Sequence, residues 1–163
     1  MQLFARELDD YMADLAELAE RYGVTLDLGE DGPLTVELEP DGARRFSIIG
    51  VLPNGRQPDT SRVAIREKWQ PVVNDRLERS SYRFELIDEA RDYRRAFHRH
   101  DERQFERRFG VVVHEHCESP VGHSACAHIS GPPIKDGHRA IVLLIDAWVG
   151  PPGCAGLPCL EAI

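Results

Sequence analysis

From residue 24 to residue 88 the chain runs as a succession of short strand-like segments broken by turn residues, and this pattern most narrows the folds open to it. VTLDLGEDGPLTVELEP (24–40) alternates apolar and polar residues around EDGP, which predicts a hairpin. ARRFSIIGVL (43–52) predicts a third strand, and NGRQPDTS (54–61) is a turn-rich connection. SRVAIREKWQPVV (61–73) and SSYRFELID (80–88) predict two more strands. Pro71 marks an edge or a strand end, because proline brings no N–H to a ladder.

Around these strands the pattern changes period. In residues 2–22, Leu3, Phe4, Leu8, Tyr11, Met12, Leu15, Leu18 and Tyr22 recur at helical spacing and Gly23 supplies the stop, so an amphipathic helix with an acidic outer face is expected. A short helix is expected after Asp101, which can cap it, with Gln104 three residues on, Phe105 and Phe109 sharing a face and Gly110 ending it. FGVVVHEH (109–116) then predicts a strand, residues 117–138 a long loop, and RAIVLLIDAWV (139–149) a buried strand. Residues 150–159 carry too much proline and glycine for regular structure. Trp69 and Trp148 sit in apolar runs and are expected in the core. The whole reads as α+β: a curved, mostly antiparallel sheet with an N-terminal amphipathic helix and one short internal helix, residues 1–163 forming a single domain. A chain of 163 residues buries a core of its own without help from disulfides.

Charge and motifs exclude several function classes. No apolar run approaches the roughly 20 residues of a membrane helix, so no membrane partner is expected. The acidic start MQLFARELDD lacks the profile of a secretory signal, which makes a cytoplasmic protein with reduced cysteines the expectation. Neither G-x-x-x-x-G-K-[ST] nor G-x-S-x-G occurs, so phosphate-loop and α/β-hydrolase chemistry have no support. His116-Cys117-Glu118 matches the first half of the zinc-deaminase signature, but Cys154 and Cys159 are five apart where the second half needs three.

The chemistry concentrates in one stretch. All seven histidines lie between 98 and 138, and every cysteine (Cys117, Cys126, Cys154, Cys159) at or after 117. His98 and His100, and His114 and His116, form two H-x-H pairs whose alternate residues face one way on a strand. If the two strands flanking the short helix lie together, four imidazoles share a surface. Such a group can serve as acid–base pairs in phosphodiester cleavage, with Glu118 or Asp101 orienting a ring and Glu115 facing away. Arg94, Arg95 and Arg99 are the candidate substrate-binding residues. The alternative is a zinc-stabilised interaction module without catalysis, with His116, Cys117, Cys126 and His128 as ligands joined by His114 or His123; zinc is then the only cofactor expected. Histidines tolerated at exposed strand ends and thiols packed as small hydrophobes remain the bland third account.

Net charge supports an anionic ligand. The protein carries −8, yet residues 1–42 hold twelve acids against Arg6 and Arg21, and residues 94–108 hold six arginines against Asp101, Glu102 and Glu106. That local positive strip suits RNA or a nucleotide more than duplex DNA. A further partner to consider is a second copy of the chain, associating through residues 140–149.

At SSYRFELIDEARDYRRAFHRHD (80–101) the chain resembles the small TumE-type toxin family of prokaryotic toxin–antitoxin pairs, whose members show an aromatic alternating strand, a turn, and a strand ending in a histidine-rich patch. Tyr82, Phe84, Leu86 and Asp88 match the first strand, while Arg95, His98, His100 and Asp101 fall near the second. The resemblance spans residues 61–116 and leaves out the acidic leading helix, the cysteines and the C-terminal extension. It implies a cytoplasmic toxin-like protein acting on RNA, with an antitoxin-like protein partner. The function expected from the sequence is therefore a histidine-dependent phosphodiesterase.

Overall fold

The computed structural model describes residues 1–27, 34–54, 57–100, 103–118, 127–129 and 133–152. Among them the chain forms nine strands and three α-helices, in an α+β arrangement whose strand pairings are all antiparallel. β1 (Gln2–Phe4) leads through a turn of 3-10 helix into α1 (Leu8–Arg21). The helix expected over 2–22 thus starts six residues late, because Gln2–Phe4 pair with Arg76–Glu78 of β6. Its end is as the sequence implied: Gly23 takes the left-handed φ of +84° and the Val24 N–H returns to the Ala19 carbonyl.

The strands β2 (Thr25–Leu26), β3 (Leu34–Leu38), β4 (Arg44–Asn54), β5 (Gln57–Pro71), β6 (Arg76–Asp88), β7 (Tyr93–Arg99), β8 (Val113–Glu118) and β9 (Ala127–Ile129) run β2-β4-β5-β6-β7-β8-β9 across the sheet. EDGP itself lies outside the described residues, and among the described ones the strands on either side of it do not pair with each other as the expected hairpin. β2 and β3 both pair with β4, at Gly50–Val51 and at Arg44–Ile48, so they follow one another along the same edge. Gly50 permits this, since a Cβ there would stand 2.4 Å from Val24 Cγ1.

The second departure is at the C-terminal side, where the buried strand expected over 139–149 is α3 (Gly137–Val149). A continuous apolar run does not reveal its period, but Ala140, Ile141, Leu144 and Ile145 are the buried positions, at helical spacing. The Asp136 side chain accepts from the Arg139 N–H and caps the start. Trp148, expected in the core, is only partly buried and packs against its margin, whereas Trp69 is fully buried. Among the described residues no helix is long and apolar enough to cross a membrane.

Register divides the sheet into two faces. Phe46, Ile48, Val63, Ile65, Phe84, Leu86 and Phe97 are partners across the ladder and line the inner face, closed by Leu8, Leu15, Ile141 and Leu144 from α1 and α3. Burying each such side chain stabilises the fold by roughly 1.5–3 kcal/mol. Glu67 is also on this face, 1% exposed, and accepts from Tyr11 (3.1 Å), Trp69 (3.0 Å) and Arg79 (2.6 Å). Burial pushes its carboxyl upward, against the pull of Arg79. The Tyr11 hydroxyl in turn accepts from the Gly137 N–H, tying α1, β5, β6 and α3 together. The opposite, outer face carries Arg66, Arg83, Glu85, Arg94, His98, His114 and His116.

Candidate functional site

The histidines meet because of how β7 returns as β8. α2 (Arg103–Phe109) and the left-handed Gly110 reverse the chain, and β8 then lies antiparallel to β7 with His98 directly opposite His114. The His100 N–H donates to the Val112 carbonyl and extends the pairing by one step. Strand alternation puts His100 and His116 on the same side as that central pair. The ring centroids of His98 lie 5.1 Å from His114 and 4.9 Å from His116; His100 stacks on His114 at 5.0 Å with planes 8° apart.

Each H-x-H pair contributes one deep and one shallower ring. His98 and His114 are 7% and 1% exposed, whereas His100 and His116 are partly exposed. His114 Nε2 and His116 Nε2 stand 3.0 Å apart. One ligand-capable nitrogen from each of His98, His114 and His116 lies within 4.8 Å of the others. His98 Nε2 is buried without a hydrogen-bond partner among the described residues. Burial and the neighbouring rings push His98 down to about 2 and His114 down to about 3, and burial with the Arg94 charge lowers His116. These rings are therefore neutral at neutral pH, each with one lone pair and one N–H, and one of the two facing Nε2 atoms of His114 and His116 donates to the other.

A charged network frames the cluster. Glu118 Oε1 is 3.4 Å from His116 Nδ1 and accepts from Arg94 at 2.6 Å; Arg94 also donates to Glu85 at 2.7 Å. Arg83 and Arg66 reach the same Glu85 at 2.8 and 3.8 Å. Burial raises the Glu85 carboxyl, but the hydrogen bonds from Arg83 and Arg94 outweigh it and hold the group below its usual range. Beside the rings, Arg45, Arg66, Lys68, Ser81, Arg83, Arg99, His98 and His100 are among the residues lining a depression of about 350 Å³. Glu39 pairs with both Arg45 (2.7 Å) and Lys68 (3.0 Å) there. In these ion pairs among the described residues five cations meet three carboxylates, leaving positive charge on this face of an acidic protein.

The residues singled out in the sequence divide accordingly. His98, His100, His114, His116, Glu118 and Arg94 come together. Arg95 does not: it is in register with Cys117, pairs with Glu115 at 3.0 Å and covers the Phe97 ring, all on the inner face. Arg99 is in register with Tyr82 and joins the lining of the depression. Of the mixed cysteine–histidine zinc set, Cys117 is turned away from His116. Cys117 belongs to the inner core at 2% exposure and its sulfur is in a disulfide, contrary to the reduced thiol expected, so it is no ligand beside imidazoles on the other face. His128 sits in register opposite Glu115 rather than His114 or His116. Cys126, Cys154, Cys159, His123 and Asp101 lie outside the described residues.

Sequence reasoning missed Arg45, Arg66, Lys68, Arg83 and Glu85. The signal was present in the polar half of the alternating strands: Arg66 pairs with Arg83, and Arg83 with His98, in one continuous row. The row crosses three strands and lies apart in sequence from the local arginine run at 94–108. Comparison of the chain with protein-family models, with curated proteins and with solved structures gave no match.

Proposed function

We propose that this chain hydrolyses phosphodiester bonds, in RNA or a nucleotide, at the depression where His98 and His100 meet Arg45, Arg66, Lys68 and Arg83. The observation that supports it is that juxtaposition of imidazole and surplus cation in a concavity of nucleotide-accommodating size. Arg66 and Arg83 hold the phosphate, and their guanidinium groups meet the charge that builds on its non-bridging oxygens as the bond breaks. His100, at the rim, takes the proton from the attacking water or 2′-hydroxyl; the P–O bond to the leaving oxygen breaks, and that oxygen is protonated by solvent. His98 and His114, held neutral, are not the acids of this scheme. The toxin-like role and antitoxin-like partner implied by the TumE resemblance belong to the same proposal.

Incubating purified protein with single-stranded RNA and with mononucleotide and cyclic nucleotide diesters tests it. Cleavage is expected, and His100→Ala and Arg83→Ser are each expected to lower it on the order of 10²–10⁴-fold with unchanged circular dichroism. Substrates left intact by the wild-type protein, or cleavage indifferent to both substitutions, would overturn the reading.

A further inference from the structure

We infer that His98, His114 and His116 bind a single divalent transition-metal ion, zinc by ligand chemistry, through nitrogen alone and without any cysteine. Three imidazoles from two adjacent strands present ligand atoms within 4.8 Å of one another on one face. The two Nε2 atoms of His114 and His116 already stand 3.0 Å apart. An ion at the usual Zn–N distance of about 2.0–2.1 Å from both would subtend roughly 94°, within reach of zinc's flexible coordination. Tetrahedral nitrogens lie about 3.4 Å apart, so closing the set needs ring movements of roughly 1.5 Å at most. The rings have a reason to make that movement. His98 Nε2 is buried with no hydrogen-bond partner among the described residues, so its lost hydration is uncompensated there.

The surroundings of the rings suit a metal as well. Where one nitrogen of a histidine binds metal, the other usually faces a carboxylate that fixes the ring. His116 has this arrangement: Nδ1 is 3.4 Å from Glu118 Oε1, Nε2 faces His114, and Arg94 holds the carboxylate at 2.6 Å. Three protein ligands among the described residues leave a fourth position open, as in catalytic rather than structural zinc sites. The ion deepens the hydrolase reading by supplying a Lewis acid for a phosphate oxygen or water, and to that extent rests on it. Binding itself does not depend on that reading.

The test is calorimetric titration of chelator-treated, full-length protein with zinc chloride, paired with cobalt(II) absorption spectroscopy. One ion per chain is expected, with the visible bands of nitrogen and oxygen coordination and no thiolate-to-cobalt charge transfer. His98→Ala and His116→Ala should each weaken binding by at least about 100-fold. Should the deeper His98→Ala variant fail to fold by circular dichroism, His116→Ala at the partly exposed ring decides. Folded wild-type protein that takes up no stoichiometric ion overturns the site, as does unchanged affinity in His116→Ala or a thiolate band. Zinc bound without any phosphodiester cleavage supports the site and removes the hydrolase; cleavage by protein that binds no zinc does the reverse.

Discussion

The two faces of the sheet each bury ionisable groups, and the carboxylate of Glu67 on one and the imidazoles on the other are treated in opposite ways. On the inner face Glu67 is surrounded: Tyr11, Trp69 and Arg79 all donate to it, and Arg79 goes on to the carbonyls of Ile134 and Lys135. On the outer face the imidazoles crowd one another, and a nitrogen of His98 is left without a hydrogen-bond partner among the described residues. A buried carboxylate held by three donors fixes architecture, here the junction of α1, the sheet and the entry to α3, even though Arg79 Nε itself has no partner among the described residues. A crowded set of neutral imidazoles is a poor structural device and a good receptor. The difference fits an architectural role for the inner carboxylate and the proposed chemistry for the outer imidazoles.

The comparison is easiest to break at Arg79. Arg79→Met removes the cation from Glu67 while keeping length and much of the apolar contact with Tyr82, over whose ring the guanidinium lies at 4.8 Å. Stranding one member of a buried pair costs about 3–5 kcal/mol, so urea unfolding should shift by that amount. The outer-face His100→Ala should cost far less. Equal losses would mean that the histidine face carries as much of the fold as the inner junction does.

Acid should discriminate between the faces next. His98 and His114 titrate at about 2 and 3 in the folded protein, both lowered first by burial. Their ordinary value is near 6.5, so below that the unfolded chain binds protons that the folded chain refuses. Stability is then fully present above about 6.5 and is lost as pH falls toward the folded values. For two such groups in metal-free protein the loss between pH 7 and 5 is on the order of 3 kcal/mol. Urea midpoints measured across that range check it, and His98→Ala should flatten the slope. A stability independent of pH over this interval would show that the rings are more hydrated than their burial implies.

Much of this contrast was legible in the sequence. The central strands followed from alternation and turn residues, and the shared surface of the two H-x-H pairs followed from strand geometry once a short helix separated them. What the sequence concealed was long-range. Nothing local shows that Leu34–Leu38 pairs with β4 instead of with Thr25–Leu26, since each run is equally good at either pairing. The apolar run at 140–149 is buried as a helix, and the Asp136 cap that distinguishes the two readings lies just before it. The outer row of Arg66, Arg83 and His98 is assembled only by register across three strands, so no window along the chain contains it. Cys117 was misplaced for a simpler reason. One residue from His116 on a strand is the other face.

The smallest expected effect is the sharpest probe of what the outer face is for. Glu118→Gln keeps the size of a side chain that contacts both His116 and Arg94 while removing its charge, and Glu85 remains to hold the guanidinium. If Glu118 orients a metal-bound imidazole, the substitution should weaken zinc about 10–100-fold, or roughly 1.4–2.7 kcal/mol, with the stoichiometry still one. Competition against a chromophoric chelator measures this directly. If instead Glu118 serves only to anchor Arg94, zinc affinity should not move and the melting temperature should fall. The two outcomes assign the same carboxylate either to the chemistry of the outer face or to the kind of architectural pairing that Glu67 represents on the inner one.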